Sequence, residues 1–282
     1  SKNQDGSGYC IYARIFDKNG GYFGPEFKVN TSTLHDQWIP TVAINNNGGF
    51  IVIWQSNMQD GSGYGIVGQK FDNKGNPFGS EFIINDVGKG SQEFPKVSMN
   101  TKGNYIIVWK SNQNNNNSFE PGAEKFSDIY AKKYNSNGSP EGGEFVVSTT
   151  IGEQWLPSVS LNENNDFVIT WNLREKDTDN YEIYARYYTN GVPQRPAFKV
   201  SSTKADRLSH PNTAIDSKGN FVIVWNGVIG SLLSSGVFGR KFAFDGSEIE
   251  SEFKINSAGK TAIQPDITFD KSGNYTVIWR EY

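Results

Sequence analysis

Apolar residues in this chain come in short bursts between polar turns, the pattern of strands rather than helices. Five bursts end at tryptophan, and two of them, Phe50–Trp54 and Phe221–Trp225, are apolar at every position. A strand apolar on both faces is expected where a sheet is sandwiched between two neighbours. In the first burst Phe50, Val52 and Trp54 would face one neighbour, and Ile51 and Ile53 the other.

Each burst closes a fifteen-residue phrase that begins at proline: PTVAINNNGGFIVIW from Pro40, PKVSMNTKGNYIIVW from Pro95, PSVSLNENNDFVITW from Pro157, PNTAIDSKGNFVIVW from Pro211 and PDITFDKSGNYTVIW from Pro265. A second phrase follows after a polar linker, beginning at Ile11, Ile66, Ile129, Ile183 or Val237, and then a short apolar segment centred on Phe27, Phe82, Phe145, Phe198 or Phe253. The unit is four strands: a from the proline, b ending at tryptophan, c, and a short d carrying Glu-Phe-x-Val-Asn. Four antiparallel strands in a repeat of this length read as a propeller blade.

The phase of the repeat predicts how the fold ends. The N-terminus begins with c and d, the C-terminus finishes with a and b, and pairing the strand near Tyr12 with the strand near Val277 would complete one blade and remove two exposed edges. Tryptophan spacings of 55, 62, 54 and 54, with 57 through the termini, leave no residue over. The expectation is an all-β, closed five-bladed β-propeller forming one domain over residues 1–282. Its blades would cover 40–85, 95–148, 157–201 and 211–256, with the last shared by 1–30 and 265–282.

Composition agrees, with 30 Gly, 30 Asn and 39 aromatic residues among 282. A formal net charge of −3, without a long apolar run or a basic cluster, argues against membrane insertion and nucleic-acid binding. One cysteine, Cys10, and two histidines, His35 and His210, cannot build a disulfide framework or an ordinary zinc site. The chain opens at Ser1 and its first methionine is Met58, which reads as a processed product or an excised domain.

The phrases Asp5-Gly-Ser-Gly8 with Ile11-Tyr-Ala-Arg14, and Gln59-Asp-Gly-Ser-Gly63 with Ile66 and Phe71, resemble those of secreted, mostly bacterial β-propeller repeats found in large surface and calcium-binding proteins. The insert Asn112–Ser127 and the linker Glu175–Asn180 depart from that pattern. The resemblance implies a secreted or surface-displayed propeller and carries over no catalytic residue.

Candidate chemistry gathers where d leads into a. Trp38 and Trp155 are the only tryptophans outside the strand-b set, and Gln37, Gln154, Gln92 and Phe94 lie beside them or in the equivalent segment. Aromatic rings flanked by amides suit a sugar, which stacks its C–H face and exchanges hydrogen bonds through its hydroxyls. The same rings could instead wedge between blades. Asp5, Asp60, Asp177 and Asp179 could ligate calcium from loops, though Asp-Gly-Ser-Gly is also simply a turn. Asn30, Asn116, Asn137 and Asn274 are N-glycosylation sequons.

Propeller glycosidases converge carboxylates from different blades, and Asp36, Glu93, Glu153, Asp206 and Asp266 lie near the starts of strand a. Their near-equivalent places read as a solvated rim, and neither histidine has a nucleophile-elbow serine. The sequence therefore favours a non-catalytic extracellular binding or adhesion module, with a glycan as its partner. The alternative is a structural subunit of a fibre, sheath or adhesin that binds copies of itself, and a glycosidase ranks behind both.

Overall fold

The computed structural model describes residues 2, 6, 8–113, 126–148, 152–175, 181–202, 207–228, 235–257 and 260–282. The described residues form strands and turns, with no helix among them. The chain divides into two compact units, residues 1–116 with 132–144 and residues 117–131 with 145–282.

Strands β1 (Tyr12–Ala13) and β2 (Phe27–Lys28) pair with each other. Next comes an antiparallel sheet of β3 (Gln37–Ile44), β4 (Phe50–Asn57), β5 (Tyr64–Phe71) and β6 (Pro77–Ile83), in sequence order. The third repeat follows the same order with β7 (Gln92–Met99), β8 (Tyr105–Ser111), β9 (Asp128–Tyr134) and β10 (Phe145–Val146). In the fourth, β11 (Gly152–Leu161), β12 (Phe167–Glu175) and β13 (Tyr181–Thr189) are flanked by β14 (Val192–Pro193) and β15 (Phe198–Lys199), both paired with β13. The fifth contains β16 (Arg207–Ile215), β17 (Phe221–Val228), β18 (Ser235–Phe242) and β19 (Glu248–Lys254). Finally β20 (Ala262–Phe269) pairs with β21 (Tyr275–Glu281).

The expected a–b–c–d order thus holds in four sheets. The two terminal pairs stand as separate two-stranded sheets, so the ladder expected between the strand at Tyr12 and the strand at Val277 is not formed here. The tryptophans record the difference: Trp54, Trp109, Trp171 and Trp225 are fully buried, whereas Trp279 is 36% exposed.

The Asn- and Gly-rich turns have one construction. The side-chain oxygen of the first Asn or Asp accepts backbone N–H groups two and four residues on, as Asp216 does from Lys218 and Asn220, and Asp72 does from Lys74 and Asn76. Gly219 closes its turn at φ 88°, where a side chain would be strained.

The Glu-Phe-x-Val-Asn phrase makes two joints. Its last residue holds the start of its own strand c: Asn30, Asn85 and Asn256 accept the N–H of Ile11, Ile66 and Val237, each at 2.8 Å. Its glutamate reaches the preceding repeat. Glu81 accepts the Thr31 N–H at 2.7 Å, and Glu252 accepts the Ser202 N–H at 2.6 Å. A cation on strand c does likewise, with Lys132 donating to the Ile84 carbonyl at 3.0 Å and Arg240 to that of Val200 at 2.7 Å.

Apolar packing completes each unit. In the first, Ile11 and Val29 join Phe50, Val52, Trp54, Val67 and Phe71 in one core. In the second, Trp225 packs among Ile183, Tyr187, Phe221, Ile223 and Phe238, while Val222 and Val224 on the other strand face meet Ile267.

Candidate functional site

Every strand a carries a bulge at its proline. The residue before it, Ile39, Phe94, Leu156, His210 or Gln264, has φ between 49° and 56°, and the strand register shifts there in all five repeats. Left-handed backbone at a β-branched or bulky residue is strained, and a following proline ordinarily favours extended backbone. Strain of this kind clusters at ligand sites and is held by its surroundings. Here the preceding sheet provides the hold, because Phe94 donates its N–H to Gln55 at 3.0 Å and Gln264 donates to Asn226 at 3.2 Å.

The expected role of the glutamines is corrected. Gln37, Gln92 and Gln154 are all buried, at 1% exposure or less. Gln37 donates to the carbonyls of Leu34 and His35 and accepts from Asn30, while Gln92 donates to the Lys89 carbonyl and accepts from Asn85. Loop backbone groups without a ladder need partners, and Gln37 and Gln92 supply them, so these two position the segment, while Gln154 is fully buried and out of reach of a sugar.

The aromatic residues stay at the surface. In the first unit Trp38 is 39% exposed, its ring 4.7 Å from that of Tyr9, with the Lys2 ammonium 5.5 Å from the tyrosine ring. A cleft of about 340 Å³ opens beside them, with Glu26 and Tyr12 in its wall. Phe94 is half-buried beside the Glu93–Lys110 ion pair at 3.5 Å. In the second unit Trp155 is half-buried, its ring 5.5 Å from Tyr181, and the Arg207 guanidinium lies 5.6 Å from the Tyr181 ring centre. Each tryptophan is therefore half of an aromatic pair rather than a buried wedge.

The carboxylates are not equivalent from repeat to repeat, contrary to the rim reading. Asp36 accepts the Tyr9 N–H at 2.8 Å, and Glu93 pairs with Lys110. Glu153 accepts both the hydroxyl and the N–H of Ser127, at 2.7 and 3.1 Å. Asp266 accepts the Asn212 amide at 2.7 Å, and Ser158 donates to Asn212 at 2.6 Å. That Ser158–Asn212–Asp266 chain crosses three successive strands a of the second unit and was missed in the sequence. Its signal was available, since all three residues directly follow the repeat proline.

His210 lies beside Ser209, Nδ1 to Oγ 2.9 Å. Among the described residues no three His, Cys, Asp or Glu side chains gather where they could share a metal. Of the calcium candidates, Asp60 receives hydrogen bonds from Asn85 and the Ser62 N–H, while Asp5, Asp177 and Asp179 lie outside the described residues, as does Asp206. The sequon at Asn30 is corrected as well, because its side chain is buried and bonded to Ile11 and Gln37. Asn137 and Asn274 are exposed in turns, and Asn116 lies outside the described residues.

No family model and no curated sequence matches the chain. Solved structures do. An α-L-arabinanase of Penicillium chrysogenum complexed with arabinobiose aligns over 96% of this chain and 86% of its own, at 12% identity and a TM-score of 0.56. An α-L-arabinofuranosidase of Fusarium graminearum aligns over 86% and 74%, at 12% identity and a TM-score of 0.57. An ulvan lyase, bound to a sugar chain, aligns over 91% and 64%, at 13% identity and a TM-score of 0.58. At such identities the likeness is one of fold, and the fold is that of β-propeller carbohydrate-active enzymes. It overturns the expectation of a non-catalytic binding, adhesion or structural module. One ground of that expectation was carboxylates repeating around a rim, and those described stand in separate environments.

Proposed function

We propose that the chain is a carbohydrate-active β-propeller enzyme that cleaves a glycan polymer outside the cell, at the face where strands d lead into strands a. The observation that carries this reading is the grouping on β11–β13. Glu153 and Trp155 are two residues apart on one strand face, and Arg174 stands opposite both Glu153 and Tyr181 in the ladder. An aromatic pair offers a sugar a stacking surface, and a carboxylate beside it supplies a proton donor or base. Hydrolysis would need a second carboxylate as well. The neighbouring structures act on glycans by hydrolysis or elimination, which supports the substrate class.

The same reading has five blades, the fifth completed by both termini. Supporting it, Arg14 and Glu26 hold the places from which Arg240 and Glu252 reach the preceding repeat. For those two residues the preceding repeat would be the one ending at Ile255 and Ser257.

The test is incubation with a panel of arabinans and acidic polysaccharides, counting new reducing ends. Cleavage of one polymer that disappears in Glu153→Gln, with the melting temperature unchanged, supports the assignment. Absence of new ends on every polymer overturns the enzyme reading, and full activity in Glu153→Gln overturns the role of Glu153.

A further inference from the structure

We infer that the Trp155–Tyr181 surface recognises an anionic sugar residue, one carrying a carboxylate or a sulfate, and that Arg207 is the determinant. The inference rests on the proposed glycan site and names what that site selects. Its ground is the contrast among arginines. Arg186, Arg195 and Arg240 donate to backbone carbonyls, Arg14 faces Glu26, and Arg280 lies over Tyr282, whereas Arg207 is the one arginine among the described residues that lies over a ring paired with a tryptophan.

Arg207 is exposed and lies over the Tyr181 ring, and among the described residues it has no carboxylate partner. A guanidinium stacked on an aromatic face keeps its edge N–H fork open, and that fork matches the two oxygens of a carboxylate or sulfate. Arg174, opposite Tyr181 in the ladder, stands equally opposite Glu153, whose carboxylate keeps its negative charge while accepting from Ser127, so Arg207 is the cation left to act on a ligand at this face. A neutral sugar could accept hydrogen bonds from Arg207 but would leave its charge unmatched. An anionic one would match it with a paired hydrogen bond and be fixed in orientation while its ring lay against Trp155.

The experiment reads retention in polysaccharide-containing native gels, using Glu153→Gln so that cleavage does not remove the polymer. The probes are polygalacturonate against its methyl ester, and dextran sulfate against dextran. Arg207→Gln is compared with Arg195→Gln, which removes an arginine from another part of the same unit. The expected result is a preference for at least one charged polymer over its neutral counterpart, reduced roughly tenfold by Arg207→Gln and unchanged by Arg195→Gln. The charged polymer that is retained distinguishes carboxylate from sulfate.

Equal retention of charged and neutral polymers, or equal loss in both arginine variants, overturns the inference. Retention is read separately from reducing ends. A failure of the enzyme reading therefore leaves charge selection measurable, and a failure of charge selection leaves cleavage measurable.

Discussion

Arg186 donates through Nη1 to the carbonyl oxygen of Val147 at 2.9 Å, joining strand c of one repeat to the end of strand d in the repeat before it. Arg240 and Val200 are related in the same way. The accepting carbonyls belong to fully buried residues, so loss of the arginine takes a charged donor from a buried acceptor.

Replacing Arg186 by Met should therefore lower stability by about 1 to 3 kcal/mol, the range for a charged hydrogen bond to a buried acceptor. Urea unfolding of the variant checks this. An unchanged midpoint would show that the joint contributes nothing.

The tryptophans should separate by environment. Trp225→Ala removes a fully buried ring and should cost about 3 to 5 kcal/mol. Trp38→Ala and Trp155→Ala should leave unfolding nearly unchanged and weaken polysaccharide retention. Loss of fold in the double surface variant would place these rings in the core after all.

Alkali should unfold the protein through its buried phenols. Burial pushes Tyr188 up to about 12, and raises Tyr105 and Tyr134 further. The protonated form is the one the fold favours, so this stability is intact below about pH 10, where free tyrosine begins to ionise, and is lost as pH rises above it. A phenolate absorbance titration should show these tyrosines ionising together with unfolding rather than before it.

Blade completion can be read chemically. Strand register in the other repeats, such as Ile169 with Arg186 and Ile223 with Arg240, places Arg14 opposite Val277 in a completed blade. Cysteines at 14 and 277 should then form an intrachain disulfide on oxidation. Failure to do so in a folded, monomeric protein would count against closure.

The four complete sheets were legible because a strand buried on both faces is apolar at nearly every position, Thr170 being the exception that bonds the Tyr184 carbonyl, and each such run ends at a tryptophan that the core encloses. The Asn and Gly turns were equally open to reading. The bulge at Ile39 and its counterparts was not, since a residue before proline is ordinarily extended and only the packing of the preceding sheet holds it otherwise. Gln37, Gln92 and Gln154 looked like surface amides for a related reason. For Gln37 and Gln92 the burial follows from the hydrogen-bonding needs of loop backbone, which residue type alone does not display.

The glutamate of Glu-Phe-x-Val-Asn reaches backward to the repeat before it, and the residues after that repeat's own Val-Asn receive the reach. Copies such as the second, with Glu81 reaching back and Asp86 receiving Glu144, carry both halves of the joint, while the fourth has Ala197 in the glutamate's place. A tandem duplication would therefore yield a daughter repeat already fitted to its parent, and the number of copies would be limited by geometry rather than by any need to invent a new interface.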